Sequence, residues 1–205
     1  MRAIRFLAVA SSLILASSLI FASAAWGDTF QKGMKAYNTL DYDTAFAIWQ
    51  PLAEAGDADS QFSLGMMYGN GFGVGMDDAL ALKWYGMAAE QGHPKALFNL
   101  AVMYQNGWGV PQDEEQATSL YVSAADGGEA EAMLALGRHF AMDFSEAYDP
   151  VQAYKWYSLA TLLSAIDALG KRNAIAENMT AEQVAEGNAL VDTWSNANGG
   201  LLAAD

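Results

Sequence analysis

Few residues in this chain carry chemistry. His93 and His139 are the only histidines, and there is no cysteine. A zinc site needs three or four ligands, so two imidazoles far apart in sequence, with no thiolate, are a poor supply. Without cysteine there is also no thiol nucleophile and no disulfide framework. Carboxylates are plentiful, at Asp41/Asp43, Asp57/Asp59, Asp77/Asp78, Asp113/Glu114/Glu115 and Glu129/Glu131. None sits in a twelve-residue calcium loop with a central glycine. No feature marks a glycosidase pair. Most of the clusters stand where helices should begin, where negative charge meets the positive end of the helix dipole. The glycine-rich stretch 71–75 lacks the lysine and the preceding strand of a phosphate loop, and a counterpart recurs at 107–109. No H-E-x-x-H, G-x-S-x-G or G-x-x-x-x-G-K-[ST] pattern occurs. The reading is no catalytic residue, no metal and no cofactor.

The positions of these residues follow a repeat. Leu64-Gly65, Leu100-Ala101 and Leu136-Gly137 stand 36 residues apart. So do Tyr68, Tyr104 and Phe140, and so do Gly56, Gly92 and Gly128. Trp84-Tyr85, Leu120-Tyr121 and Trp156-Tyr157 share one register, as do Ala45, Ala81, Ala117 and Ala153. A period of this length marks a solenoid, in which no unit can bury its apolar face alone. Each unit reads as two helices. The first (A) covers about 60–68 and 96–104. A glycine loop follows, and the second (B) covers about 77–90 and 113–125. Asp77 is the expected cap of one B helix, Gly92 its stop, and Pro94 opens the next unit. The recurring aromatics are read as core and the recurring alanines as close helix contacts.

The ends depart from the pattern. The first unit has helices at about 30–38 and 44–54 and lacks the glycine loop. In the fourth, residues 142–148 replace that loop without a glycine. The apolar spacing then continues its B helix through Leu159, Leu162, Leu163 and Ile166. A further helix is expected over 167–178, and Thr180 with Gln183 forms a capping box for a last one. The divisions are 1–24, 25–59, 60–95, 96–131, 132–166, a C-terminal helical cap at 167–195 and a tail at 196–205.

Arg2 and Arg5 precede an apolar run at 6–21, and Ala22-Ser23-Ala24 follows it. This is the pattern of a secretory signal peptide cut after Ala24. A membrane anchor is the alternative, but the run is shorter than the ~20 residues a spanning helix needs. With no cysteine after it, a lipid anchor is ruled out. A periplasmic or secreted protein is expected, with no membrane span after cleavage. Losing Arg2 and Arg5 takes the formal charge from −14 to about −16. That acidity argues against nucleic acid and anionic lipid.

The stretch Trp84-Tyr85, Ala88-Ala89-Glu90-Gln91-Gly92-His93, Ala96, Asn99-Leu100, Tyr104 and Asn106-Gly107-Trp108-Gly109-Val110 resembles the Sel-one-like repeat, a relative of the tetratricopeptide repeat. The resemblance covers about 33–170. It implies an all-α fold: an α-solenoid of antiparallel helix pairs, about four repeats, with a concave face and an adaptor role in protein assemblies. By analogy with tetratricopeptide repeats, the inner face takes Asp59, Met66, Asn70, Lys95, Val102, Gln105, Asn106, Glu131 and Arg138. Phe72 and Trp108, on the glycine loops, are added as contact residues. The expected function is binding of an envelope protein or peptide, with regulation of a membrane sensor as one form of it. The alternative is an envelope hydrolase acting on cell-wall or β-lactam substrates. A disulfide-rich branch of the family is linked to β-lactams, and this chain has none of its cysteines.

Overall fold

The computed structural model describes residues 27–142 and 147–199, and the described residues contain helices and no strand. The helices are α1 (27–38), α2 (Tyr42–Glu54), α3 (Ala58–Asn70), α4 (Asp78–Glu90), α5 (Pro94–Asn106), α6 (Glu114–Asp126), α7 (Ala130–Phe140), α8 (Pro150–Leu162), α9 (Ala168–Ala176) and α10 (Ala181–Ala197). None is long and apolar enough to cross a membrane. The signal-peptide segment and most of the 142–148 connection lie outside the described residues.

Side-chain acceptors start these helices. Asp41, Asp77, Asp113 and Asp149 accept from the backbone N–H of Thr44, Leu80, Gln116 and Gln152, at 3.2, 2.9, 2.9 and 3.0 Å. Asp57 does the same for Ser60 and His93 for Ala96. Each such cap is worth about 1 kcal/mol. The A helices α3 and α5 end on glycine, whereas α7 ends on Ala141. Gly71 and Gly107 take φ of 71° and 73° and return their N–H to Met67 and Met103. Pro94 and these caps carry α3 and α5 about one half-turn further at each end than the periodicity predicts.

The chain divides into two compact units, residues 1–84 and 85–205. In the first, α2 packs on α3. Trp49, Ala45, Leu64 and Met67 are fully buried. Phe30 stacks on Trp49 at 5.8 Å, and the Trp49 indole N–H donates to the Phe30 carbonyl at 3.3 Å. In the second unit α6 packs on α5 and α7, and α8 on α7, α9 and α10. Tyr121, Met133, Leu136, Trp156 and Leu159 form the buried core, with Trp194 of α10 joining it. The recurring Trp84, Tyr85, Tyr121, Trp156, Tyr157 and alanines are thus interior, as their spacing predicts, while Tyr68, Tyr104 and Phe140 are half-buried.

One expectation fails. The B helix of the fourth unit does not run on to Ile166; α8 ends at Leu162. Ser164 and Asp167 adopt φ of 58° and 65°, left-handed values that no helix tolerates. Ile166 is left 84% exposed. α9 then starts at Ala168.

Gly137 shows what sets the spacing of neighbouring helices. A Cβ there would lie 2.5 Å from the Tyr157 ring of α8. Gly137→Ala should therefore lower stability by about 1–3 kcal/mol through overpacking. Gly86, on α4, has nothing within 4 Å of the same atom. Gly86→Ala should raise stability by up to about 1 kcal/mol. Urea melts of the two variants check the pair of opposite signs.

Candidate functional site

In the second unit, α5 and α7 bring four of the expected binding residues into two clusters. The first lies at the helix starts. Asp57, His93 and Glu129 hold equivalent places, 36 residues apart, before α3, α5 and α7. Asp57 and His93 accept from their helices, but Glu129 makes no such bond. Its carboxyl pairs with Glu131 instead. Burial first, then the hydrogen bond and negative charge of Glu131, push Glu129 from the ordinary 4.5 up to about 7. The same hydrogen bond holds Glu131 below the ordinary range. Lys95, exposed at the start of α5, favours the charged form of both.

The second cluster lies at the other end of the same helices. Gln105 and Arg138 line a cavity of about 170 Å³ with Ala135, His139 and Met142. Tyr121 of α6 donates its hydroxyl to Gln105 Oε1 at 2.9 Å. This bond fixes the amide so that its N–H₂ is the end left for a ligand. Burial pushes the Tyr121 hydroxyl up to about 12, with Arg138 opposing and Glu114 reinforcing. His139 Nδ1 lies 3.4 Å from Glu114 Oε1. Val102 is half-buried and packs against the core of this unit. Asn106 donates to the Val102 carbonyl at 2.8 Å, which ties it to its own helix end.

In the first unit the expected residues are more engaged. Met66 is half-buried, its sulfur 3.9 Å from the Tyr37 hydroxyl that donates to it. Asn70 donates to the Met66 carbonyl at 2.8 Å, as Asn106 does in its own helix. Asp59 is exposed in the first turn of α3. The two loop aromatics differ. Trp108 is 52% exposed. Phe72 does not project; it stacks on Tyr42 at 5.1 Å and meets Tyr37 at 6.1 Å. The shortened first repeat supplies these tyrosines, so Phe72 packs rather than waits for a partner.

Among the described residues no group of three or more histidine or acidic side chains could hold a metal. His93 serves as a helix cap, accepting through Nδ1 at 3.2 Å. Two features escaped the sequence reading. The Glu129–Glu131 pair was visible only as one acidic cluster among several. The other is Lys155, whose ammonium sits 3.8 Å from the Trp156 ring centroid. Its signal was the recurrence of Lys-Trp at 83–84 and 155–156.

Glu129 has a defined pH signature. Its proton is held more tightly in the folded state than in the unfolded chain. Its contribution to stability is full below about pH 4.5 and is lost as pH rises to about 7. Glu131, with a lowered value, acts with opposite sign below that window. Glu129→Gln keeps a donor for Glu131 and removes the titration. Relative to the variant, the wild type should lose on the order of 1 kcal/mol across that window, a magnitude limited by solvent at this half-buried site. Urea melts of both proteins at pH 4.5 and at about pH 8 measure it.

A family model described as the Sel1 repeat matches residues 58–93, 94–129 and 130–164. These frames open at the first residues of α3, α5 and α7. The chain is similar to a crystal structure of a Sel1 repeat protein from Oxalobacter formigenes, at 36% identity and a TM-score of 0.56, over 62% of this chain and 95% of that one. In fold it is similar to c5321, a protective antigen present in uropathogenic Escherichia coli strains and displaying an SLR fold, at 23% identity and a TM-score of 0.54. That match covers 85% of this chain and 46% of the other, so this chain spans under half of that structure. No curated protein matches. Sel1 repeat proteins generally mediate protein–protein interaction, and the family is typically a non-catalytic scaffold. With three successive matched repeats over more than half of its length, this chain belongs to the Sel1 repeat family.

Proposed function

We propose that the protein is an exported adaptor that holds a segment of an envelope protein on its A helices, with Lys95, Gln105, Glu131 and Arg138 as the contacts. The observation that carries this reading is that these residues lie outside the helix caps and the apolar core of their repeats. In α5 the His93 cap, the Gly107 turn and the core residues occupy the repeating positions, and in α7 the core residues do. Lys95 and Arg138 are exposed cations in a chain with a formal charge of −14. A partner segment with a carboxylate near Arg138 and a basic group near Glu131 fits their arrangement. Mixed charge of this kind favours one partner over others by register and by repulsion of mismatches. Export rests on the pattern of residues 1–24, and the general role of the family supports a protein partner.

The protein should retain one stoichiometric partner from detergent-solubilised envelope extract at low salt, and less of it at high salt. Lys95→Glu combined with Arg138→Glu should cut retention at least tenfold, about 1.4 kcal/mol or more, with the melting temperature kept near that of the wild type. Unchanged retention by the double variant would overturn this surface. Mass spectrometry of the protein from cells should find an N-terminus at Ala25 in the envelope or medium. An intact Met1 confined to the cytoplasm contradicts export.

A further inference from the structure

Lys83-Trp84 and Lys155-Trp156 hold the same place in repeats two periods apart, yet they end up in different surroundings. Lys83 is exposed, its ammonium 5.1 Å from the Trp84 ring centroid. Lys155 is half-buried and lies at 3.8 Å. In the second unit α10 accounts for that burial. It seats on α8 through Gly187, where a Cβ would come within 2.6 Å of the Tyr154 ring, and through the Tyr154 hydroxyl donating to Asn188 at 3.1 Å. An open pocket of about 390 Å³ is left, lined by Asp126, Lys155, Leu190, Trp194 and Ala197 among others.

The charges in this pocket are arranged but not paired. The Trp194 indole N–H donates to Asp126 Oδ1 at 2.8 Å and fixes that carboxylate. Lys155 feels the field of Asp126, yet no ion pair joins them. Among the described residues, the Lys155 ammonium has the Trp156 ring on one side and no hydrogen-bond acceptor. Burial lowers its pKa, which Asp126 opposes. A half-buried ammonium with no acceptor from the protein keeps its charge free for an anion entering the open pocket. A dianion such as phosphate would meet Asp126, and a simple amine would meet Lys155. A ligand carrying both charges on one carbon, an ammonium and a carboxylate, satisfies both groups. Leu190, Ala197 and the Trp194 ring supply an apolar wall beside them. The volume is at the lower end of small-molecule sites, ~300–1,000 Å³.

We propose that this pocket binds a free α-amino acid, with its carboxylate on Lys155, its ammonium on Asp126 and its side chain against Leu190 and Ala197. The site is independent of the A-helix contacts. The test follows the Trp194 indole N–H resonance of the purified protein while each common amino acid is added, up to about 10 mM. At least one should give a saturable shift. Its affinity should fall at least tenfold in Lys155→Met, in Asp126→Asn (which leaves an acceptor for the indole), and for the N-acetyl and methyl-ester forms of the same amino acid. Lys83→Met should leave it unchanged. No saturable shift with any amino acid overturns the proposal. So does binding that survives Lys155→Met or Asp126→Asn in a folded protein. An N-acetyl form that binds as well as the free amino acid overturns it too, because the site would then take a carboxylate alone.

Discussion

A carboxylate that accepts the third amide of the helix it precedes recurs at Asp41, Asp77, Asp113 and Asp149. Between these, Asp57 and His93 do the same for the A helices. The rest of the structure depends on this constraint. Helices of thirteen residues are too short to hold themselves in water. A cap fixes where each begins, and so which residues face inward. Only then do Trp49, Tyr121 and Trp156 fall into the core. Asp41, Asp57, Asp77, Asp113 and Asp149, five of the 24 acidic residues, are therefore structural.

The exception to the series is informative. Glu129 stands in a cap position and does not cap. Its longer side chain turns to Glu131, leaving a protonatable pair beside Lys95 at the start of α7. At the far end of the same helices, Gln105 is oriented by Tyr121, and Arg138 shares its cavity. Both places hold polar groups that neither cap a helix nor join the apolar core. In α3 the corresponding residues are largely absorbed, Met66 by Tyr37 and Asn70 by its own helix end.

What was legible in the sequence was local or periodic. Asp77, Gly107 and the Thr180–Gln183 box are signals a few residues long, and each acts as read. The interior aromatics were legible because their period is fixed. The break after Leu162 was not, because Leu159, Leu162, Leu163 and Ile166 keep helical spacing while the backbone turns left-handed at Ser164. Phe72 was misread because its partners, Tyr37 and Tyr42, lie thirty or more residues earlier in an atypical repeat. The surroundings of Lys155 depend on α10, which has no counterpart in the repeats. Side chains governed by distant or unrepeated elements are those a periodic reading misses.

In the proposed function the A helices, not the B helices, meet the partner. Photo-crosslinking in living cells tests this most directly. A photoreactive residue would be placed at Lys95 or Arg138 on α5 and α7, and at the exposed Ser119 or Ser123 on α6. The account predicts one envelope protein joined from positions 95 and 138 and not from 119 or 123. Adducts of equal yield from α6, or none from α5 and α7 in a folded and exported protein, would contradict it.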